Sequence, residues 1–448
     1  MTRLPVPPLD ARRTRLALLI VAVGLGGGAL GAAYLTVLEA VADVLGPDRW
    51  SAPAHLVVLV AVGGAVTLLV RLLGTPGDVE LLVDNIHVEG GPDDVRSLRS
   101  LVPISLLCVG AGGPLGPEAP LVTTTGTLAS WLGIRSDLAR EERRTLAITG
   151  MAAGFTVLFA APLGAAVFAL EILHRRGLEY YEALLPAAVG SLCGYGVSTA
   201  MTGMGVDPLW SFPAPAHLVP LDFALAVGAG VVGAVVAVAF TYASIGLRAL
   251  ADLLPAGIQP AIGGALLGLI ALGSPYALTN GELQIDHLSA TGALALTFLV
   301  AAVAKFAAAA VAMATGWRGG FIIPLFFIGF CLAQAADGHL GSGSTWVLAA
   351  GLMVACNVGV TKTPIGSTLV VTEMSGLALV PTTLVAALVS LALTSQVGLI
   401  HSQRRRFATP TPPGDETPHP EQPQHPELSG RPVGAGPIWS EDEGDEDA

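Results

Sequence analysis

Charged side chains are scarce in this sequence. Asp, Glu, Lys and Arg together make up 12% of the 448 residues, whereas soluble domains carry about a quarter. A water-soluble globule of this size would need more charge to cover its surface, so an ordinary soluble domain is excluded. The chain has long apolar runs instead, at residues 16–42, 56–70, 219–247 and 288–315, near or above the ~20 residues with which a helix crosses the hydrocarbon layer. The sequence therefore predicts an all-α, polytopic membrane protein.

Residue patterns for a disulfide framework, a metal site or a hydrolytic centre are also lacking. The four cysteines lie in apolar stretches without metal or redox spacing, which favours core packing; they are Cys108, Cys193, Cys331 and Cys356. The nine histidines are scattered, with no His-Glu-x-x-His pair, and no Gly-x-Ser-x-Gly elbow is present. We therefore expect neither an enzyme nor a metal or cofactor.

Most of the negative charge lies at the carboxyl end. Residues 407–448 carry ten acidic side chains against Arg431, a net charge of −9, which leaves −3 of the total of −12 for the rest of the chain. A basic nucleic-acid surface is absent, so no nucleic-acid partner is expected. The Pro, Glu, Gln, Asp and Gly content from Ala408 onward predicts a disordered acidic tail over 404–448.

Arginine clusters flank the apolar part of the chain. Arg12, Arg13 and Arg15 precede the first run, and residues 404–406 are all arginine. Because cytoplasmic loops are enriched in basic residues, both ends are predicted to be cytoplasmic, with an even number of crossings of the cell (plasma) membrane. The expected organisation is an N-terminal cytoplasmic segment over 1–15, a transmembrane domain over 16–403 and the tail.

The apolar segments between the ends are uneven, and some are repeated. Short segments interrupted by Gly and Pro occur at 101–113, 120–133, 146–160 and 320–335; at membrane depth such breaks occur where a helix is buried in protein or lines a wet cavity. Two sequence patterns occur in both halves of the chain at nearly the same separation. The segment 162–164 followed by Glu171 matches the segment 364–366 followed by Glu373. Likewise, Gly116 followed by Pro120-Leu121 matches Gly320 followed by Pro324-Leu325. They predict a repeat-built transporter with halves at roughly 16–205 and 216–403, although the abundance of Gly and Ala is an alternative source of the match.

Two glycine-rich turns, at 112–120 and 316–324, each end in a proline that suits the first turn of a helix. Helix starts expose unpaired N–H groups and a partial positive charge, so two of them aimed at one point form an anion site. Glu118 lies in the first turn, and a carboxylate at membrane depth suggests function. It is interpreted as a gate that competes with the anion when ionised; the alternative is a residue stabilised by the helix dipole.

At these residues the chain resembles the CLC family of chloride channels and proton-coupled anion transporters, over about 16–403. Residues 116–120 stand in place of the family's Gly-Arg/Lys-Glu-Gly-Pro motif, and residues 320–324 in place of its Gly-x-Phe-x-Pro motif, with Ile322 at the usual phenylalanine. The resemblance implies an inverted-repeat fold with broken helices, a homodimer in the lipid bilayer, chloride or another small anion as substrate, and gating by Glu118. It also implies anion contacts from the two turns, at Gly116, Pro117, Ala119, Gly320, Phe321, Ile322 and Ile323.

One departure concerns the anion site. Where the family has Gly-Ser-Gly-Ile-Pro, whose serine hydroxyl binds the central anion, this chain reads Val-Asp-Asn-Ile-His at 83–87. Asp84 then replaces the serine and must be neutral, turned aside or paired, or else the Asn85 amide supplies the donor. The alternative is a polar loop in which Asp84 and Asn85 cap a helix.

A second departure concerns proton coupling and the inner gate. Proton-coupled members carry a glutamate directly after the one aligned with Glu171, and here that position is Ile172. Near the family's gate tyrosine the chain has Ile400, His401 and Ser402, of which the latter two are the alternative donors. We therefore expect passive or weakly proton-coupled chloride transport. A proton/anion antiporter for chloride or fluoride, with Glu171 on a rerouted proton path, is the alternative, and a nonconducting membrane sensor or scaffold is a remote one.

Overall fold

The computed structural model describes residues 11–176, 180–203, 208–210, 212–213, 217–336, 342–400 and 403–405. Nearly all of this part is helical, as the sequence predicts. The helices are α1 (Ala11–Leu45), α2 (Ala52–Leu73), α3 (Val79–Glu89), α4 (Leu98–Gly110), α5 (Glu118–Arg135), α6 (Arg140–Phe159), α7 (Pro162–Glu171), α8 (Leu184–Thr202), α9 (Pro220–Ala251), α10 (Gln259–Gly273), α11 (Glu282–Thr291), α12 (Ala295–Ala314), α13 (Ile322–Ala336), α14 (Ser342–Thr361), α15 (Pro364–Ser375) and α16 (Val380–Thr394).

Within the described ranges, seven helical segments are long and apolar enough to cross a membrane, and they include α1, α2, α9 and α12. Four apolar helices of 10 to 17 residues, namely α4, α7, α10 and α13, are shorter than a full crossing. Long and short helices packed together make the chain a multi-pass membrane protein with broken helices, as predicted. The predicted even number of crossings stays a prediction.

The order of elements repeats in the two halves. Helices α5 to α8 correspond in order to α13 to α16, and both sequence landmarks are helix starts. Pro162 opens α7 and Pro364 opens α15, where the missing N–H of proline costs no helical hydrogen bond. The duplication predicted from the sequence is therefore a structural repeat.

Glycines set the close packing of α1 against α8. Gly24 and Gly28 lie on the buried face of α1, and a Cβ on Gly24 would approach the Gly190 carbonyl oxygen to 2.6 Å. At Gly28 a Cβ would collide with the carbonyl oxygen of Gly194. Small residues four apart let helix backbones approach, which is how helices associate where the surrounding lipid is as apolar as their side chains.

The described helices and strands extend slightly beyond the range predicted for the transmembrane domain, whose bounds of 16–403 stay a prediction. Helix α1 already begins at Ala11, before residue 16, and the chain after α16 returns to the end of α7. There β2 (Arg404–Arg405) pairs in parallel with β1 (His174–Arg176), and the Gln403 amide donates to the carbonyl oxygens of Ile172 and Thr361 at 2.9 and 2.7 Å. Residues 404 and 405 are thus paired with the domain, whereas residues 406–448 of the expected tail lie outside the described residues.

Candidate functional site

The two glycine-rich turns meet near the centre of the bundle. Gly116 and Gly320 form an isolated antiparallel bridge, in which each N–H donates to the carbonyl oxygen of the other, at 2.7 and 2.6 Å. Helix α5 begins two residues after the first glycine and α13 two residues after the second. The bridge therefore holds two helix starts side by side, with their unpaired N–H groups in one region.

Glu118 joins these two helix starts. Its carboxyl group is fully buried, and Oε1 accepts a hydrogen bond from the backbone N–H of Ile323, in the first turn of α13, at 2.8 Å. The other oxygen, Oε2, has no hydrogen-bond partner among the described residues. The carboxylate occupies the place at which the α13 dipole and N–H groups would hold a free anion.

The glycines of the bridge are required by this carboxylate. A Cβ on Gly320 would lie 2.5 Å from Oε2 of Glu118, and a Cβ on Gly116 would collide with the same oxygen. Any larger residue at either position would displace the carboxyl group. This close approach explains why the two turns carry glycine at 116 and 320.

A cavity of about 470 Å³ ends at the two helix starts. Its lining includes Ala119 and Pro120 of α5 and residues 320–322 at the start of α13. Its walls also include Ile172, Leu399 and Ile400, as well as residues 77–80 at the start of α3. Because Ala119 follows Glu118 directly in the chain, the cavity reaches the surroundings of the Glu118 carboxyl group.

The structure brings the predicted anion-binding residues of the two turns together. The predicted anion-binding residues in the segment 83–87, in contrast, do not lie at a helix start. Helix α3 begins at Val79, and Asp78 caps it by accepting a hydrogen bond from the Leu81 N–H at 2.8 Å. Asp84 therefore lies inside α3 on its exposed side, and Asn85 lines a smaller cavity of about 140 Å³. Neither residue caps α3, because the chain turns into the helix one and a half turns earlier.

The candidates for proton transfer and inner gating are separated. Ile172 and Ile400 both line the large cavity, so the two positions of interest present hydrocarbon to it. Glu171 instead binds the start of α15, where its two oxygens accept from the N–H groups of Ile365 and Gly366 at 3.2 and 2.7 Å. His401 and Ser402 lie outside the described residues.

Several cavity residues were missed by the sequence interpretation, notably Asp78 and Arg318. A signal for Asp78 was available, because Pro76 and Gly77 break the chain and an aspartate before an apolar stretch is typical of an N-cap. The positions of Thr123 and Ser244 on the cavity wall had no such signal. In the described part of the chain, no group of three or more His, Cys, Asp or Glu residues suits a metal ion.

Comparisons with known proteins agree with this architecture. A chloride/fluoride channel protein of Pseudomonas syringae pv. tomato is 29% identical over 375 residues, 80% of each chain. The solved structure of a CLC-type fluoride/proton antiporter matches with a TM-score of 0.78 at 22% identity, covering 88% of this chain and 99% of that one. A slow cyanobacterial Cl⁻/H⁺ antiporter matches with a TM-score of 0.74 at 20% identity, covering 85% and 94%.

The family model described as voltage gated chloride channel matches residues 75–395. This range includes both glycine-rich turns, the buried Glu118, and Glu171 with its contacts to the start of α15. Since the match extends over most of the 448 residues, the chain belongs to the CLC family of chloride channel proteins.

Proposed function

We propose that this CLC protein moves chloride across the cell membrane along a pathway gated by Glu118, passively or with weak proton coupling. The observation that carries the proposal is the hydrogen bond from the Ile323 N–H to the Glu118 carboxyl group. An ionised carboxylate there competes with a permeant anion for the same helix start. When it is protonated or withdrawn, the cavity end becomes available to chloride.

Weak coupling is supported by the surroundings of the cavity. A proton that moves between Glu118 and the solution needs titratable groups or ordered water along its way, and Ile172 and Ile400 offer hydrocarbon walls. Glu171 is held by the start of α15 on two hydrogen bonds, so it is already engaged elsewhere. The hydrocarbon side chain of Ile400 offers no hydrogen-bond donor to an anion, which favours a permissive inner gate.

The test is a flux assay in proteoliposomes that records anion and proton movement together. An imposed chloride gradient at clamped membrane potential is expected to drive chloride with little or no uphill proton movement. Stoichiometric proton pumping that disappears in Glu171→Gln, with chloride transport retained, would instead establish the antiporter and place Glu171 on its proton path. No anion movement in any gradient would favour a nonconducting sensor or scaffold.

A proton/anion antiporter is the second candidate, because the two structural neighbours are described as fluoride/proton and Cl⁻/H⁺ antiporters. Fluoride is the second candidate substrate, since the sequence relative is described as a chloride/fluoride channel protein. The same assay with fluoride in place of chloride compares the two anions. Chloride is favoured by the hydrocarbon wall of the cavity, because chloride sheds its hydration water at a lower cost than fluoride.

The proposed setting is a homodimer in the plasma membrane, with one anion pathway in each subunit and both termini cytoplasmic. Exposed leucines, such as Leu163 on the short helix α7 and Leu185 on the longer helix α8, suit a lipid or subunit contact. The cavity is lined by Leu399 and Ile400, just before the arginines at 404–406, so it opens toward the cytoplasm in this orientation. Chloride is the proposed substrate, and no cofactor is part of the proposal.

A further inference from the structure

We propose that the cavity contains a halide-binding site formed by the hydroxyl groups of Thr123 and Ser244 and the guanidinium group of Arg318. The three residues line the same cavity, from helices α5 and α9 and from the turn before α13. The site deepens the proposed chloride transport and rests on it. It supplies side-chain donors to the anion on its way to the helix starts at Glu118.

Thr123 differs from the threonines that follow it. Thr124 and Thr125 each donate to the carbonyl oxygen four residues back, Pro120 and Leu121, at 2.7 and 3.0 Å, as hydroxyls in helices commonly do. Thr123 is only 3% exposed, and its Oγ1 has no hydrogen-bond partner among the described residues. A buried hydroxyl without a protein partner has its hydrogen-bonding capacity left for a water or an ion. Thr123 lies one turn after Ala119, which lines the same cavity.

Ser244 repeats this pattern on α9, which also lines the cavity. One turn earlier on α9, the ring of Phe240 lies 6.3 Å from the ring of Phe321 at the start of α13, which places this face of α9 beside the cavity end. Thr241 donates to the Ala237 carbonyl oxygen at 2.9 Å, whereas the Ser244 Oγ, in a residue 4% exposed, has no partner in the described part of the chain.

Arg318 supplies the positive charge. The other lining arginine, Arg248, forms an ion pair with Asp252 at 3.2 Å, but no carboxylate of the described residues lies within 4.0 Å of the Arg318 guanidinium group. The carboxylates that share the cavity, Asp78 and Glu80, would repel an anion. The guanidinium of Arg318 offsets them, and its N–H groups are donors to a halide.

Chloride binding to the purified full-length protein in detergent, measured by titration calorimetry, tests the site. Thr123→Val, Ser244→Ala and Arg318→Gln are each expected to weaken chloride affinity about tenfold, as expected for the loss of one hydrogen bond to a charged ligand. Thr123→Ser restores the affinity because it keeps the hydroxyl. Thr124→Val is the matched control, since its hydroxyl is used within α5, and it is expected to bind like the wild type.

The charge balance gives an independent test. Adding Asp78→Asn to Arg318→Gln removes the opposing charge while an asparagine still caps α3, so it should recover part of the chloride affinity. Variants are compared only if they elute from size-exclusion chromatography as the wild type does. If Thr123→Val misfolds, Ser244→Ala and Arg318→Gln still test the site. If all three variants bind as Thr124→Val does while liposome flux is intact, this site is wrong and the proposed function stands. Wild-type binding without any flux overturns the proposed function and leaves the site.

Discussion

The two halves of the transmembrane domain agree at one pair of helix starts and differ at another. At α7 and α15 the contact is reciprocal: Glu171 accepts from the start of α15, and Glu373 accepts from the Gly164 N–H at the start of α7, at 3.3 Å. At α5 and α13 only the first half has a carboxylate, because Ile322 stands in the second half where Glu118 stands in the first. The reciprocal pair joins the repeats, whereas the unmatched carboxylate is available for gating.

Electrostatics explains why the second pair cannot be symmetric. Two ionised carboxylates about 4 Å apart repel by roughly 4 kcal/mol at the effective dielectric constant of a protein surface, and more charge there would exclude an anion from both helix starts. Because Ile322 has no carboxylate, it does not compete with Glu118 for the N–H groups at the start of α13. The difference between the halves thus leaves one position for the proposed competition between a carboxylate and an anion.

The largest effect on chloride flux is expected from removing the Glu118 carboxylate, which is the difference between the two halves. In Glu118→Ala and Glu118→Gln the charge that competes for the α13 start is gone, and chloride flux in proteoliposomes is expected to change by about tenfold or more. Glu373→Gln is the control, because it alters a helix-start carboxyl group of the reciprocal pair. Wild-type flux in both Glu118 variants at every pH would place the gate elsewhere.

The pH dependence of the wild type comes next in size. Protonation neutralises Glu118 and weakens its hold on the α13 start, so flux is expected to rise as the external pH falls from about 7.5 to about 4.5. The profile should be flat in Glu118→Gln, whose side chain does not titrate. Flux that falls over this range in the wild type would contradict the competition between carboxylate and anion.

The reciprocal pair predicts effects on stability. Glu171→Gln removes a buried carboxylate that accepts two backbone hydrogen bonds, so it should cost about 1 to 3 kcal/mol of stability, seen as an earlier loss of the folded peak after heating in detergent. Glu373 is only partly buried and has the longer contact, so Glu373→Gln should cost less. An equal change of chloride flux in Glu118→Gln and Glu171→Gln, without a stability change in Glu171→Gln, would contradict the distinction between the two pairs.

The smallest effect is expected from a change that touches neither half. Deletion of residues 408–448 removes a segment without apolar periodicity, so assembly and chloride flux should be retained. Its net negative charge should at most reduce anion entry at low salt, and that effect should vanish as salt screens it. Loss of the assembled protein on size-exclusion chromatography would contradict this expectation.

Much of the architecture was predictable from local patterns. Apolar runs, the Pro-Gly breaks and the repeated spacing from Pro162 to Glu171 and from Pro364 to Glu373 depend on hydropathy and helix-start chemistry, which act over a few residues. The two glycine-rich turns and Glu118 were found in the same way. The sequence leaves open whether Asp84 and Asn85 cap a helix, and the structure has Asp78 as the N-cap of α3 instead, directly after the turn at Pro76-Gly77.

The sequence by itself determined that the chain is a membrane protein of two similar halves, because insertion and helix breaking follow from composition and spacing. Only the tertiary structure decided which carboxyl groups meet which helix starts. The bridge between Gly116 and Gly320, 204 residues apart, brings Glu118 to α13, while the same packing commits Glu171 to α15. The cavity is also formed by parts of the chain that are far apart in sequence, namely α5, α9 and the turn at Arg318. Side chains there that lack a local hydrogen-bond partner have surroundings that only the tertiary structure decides.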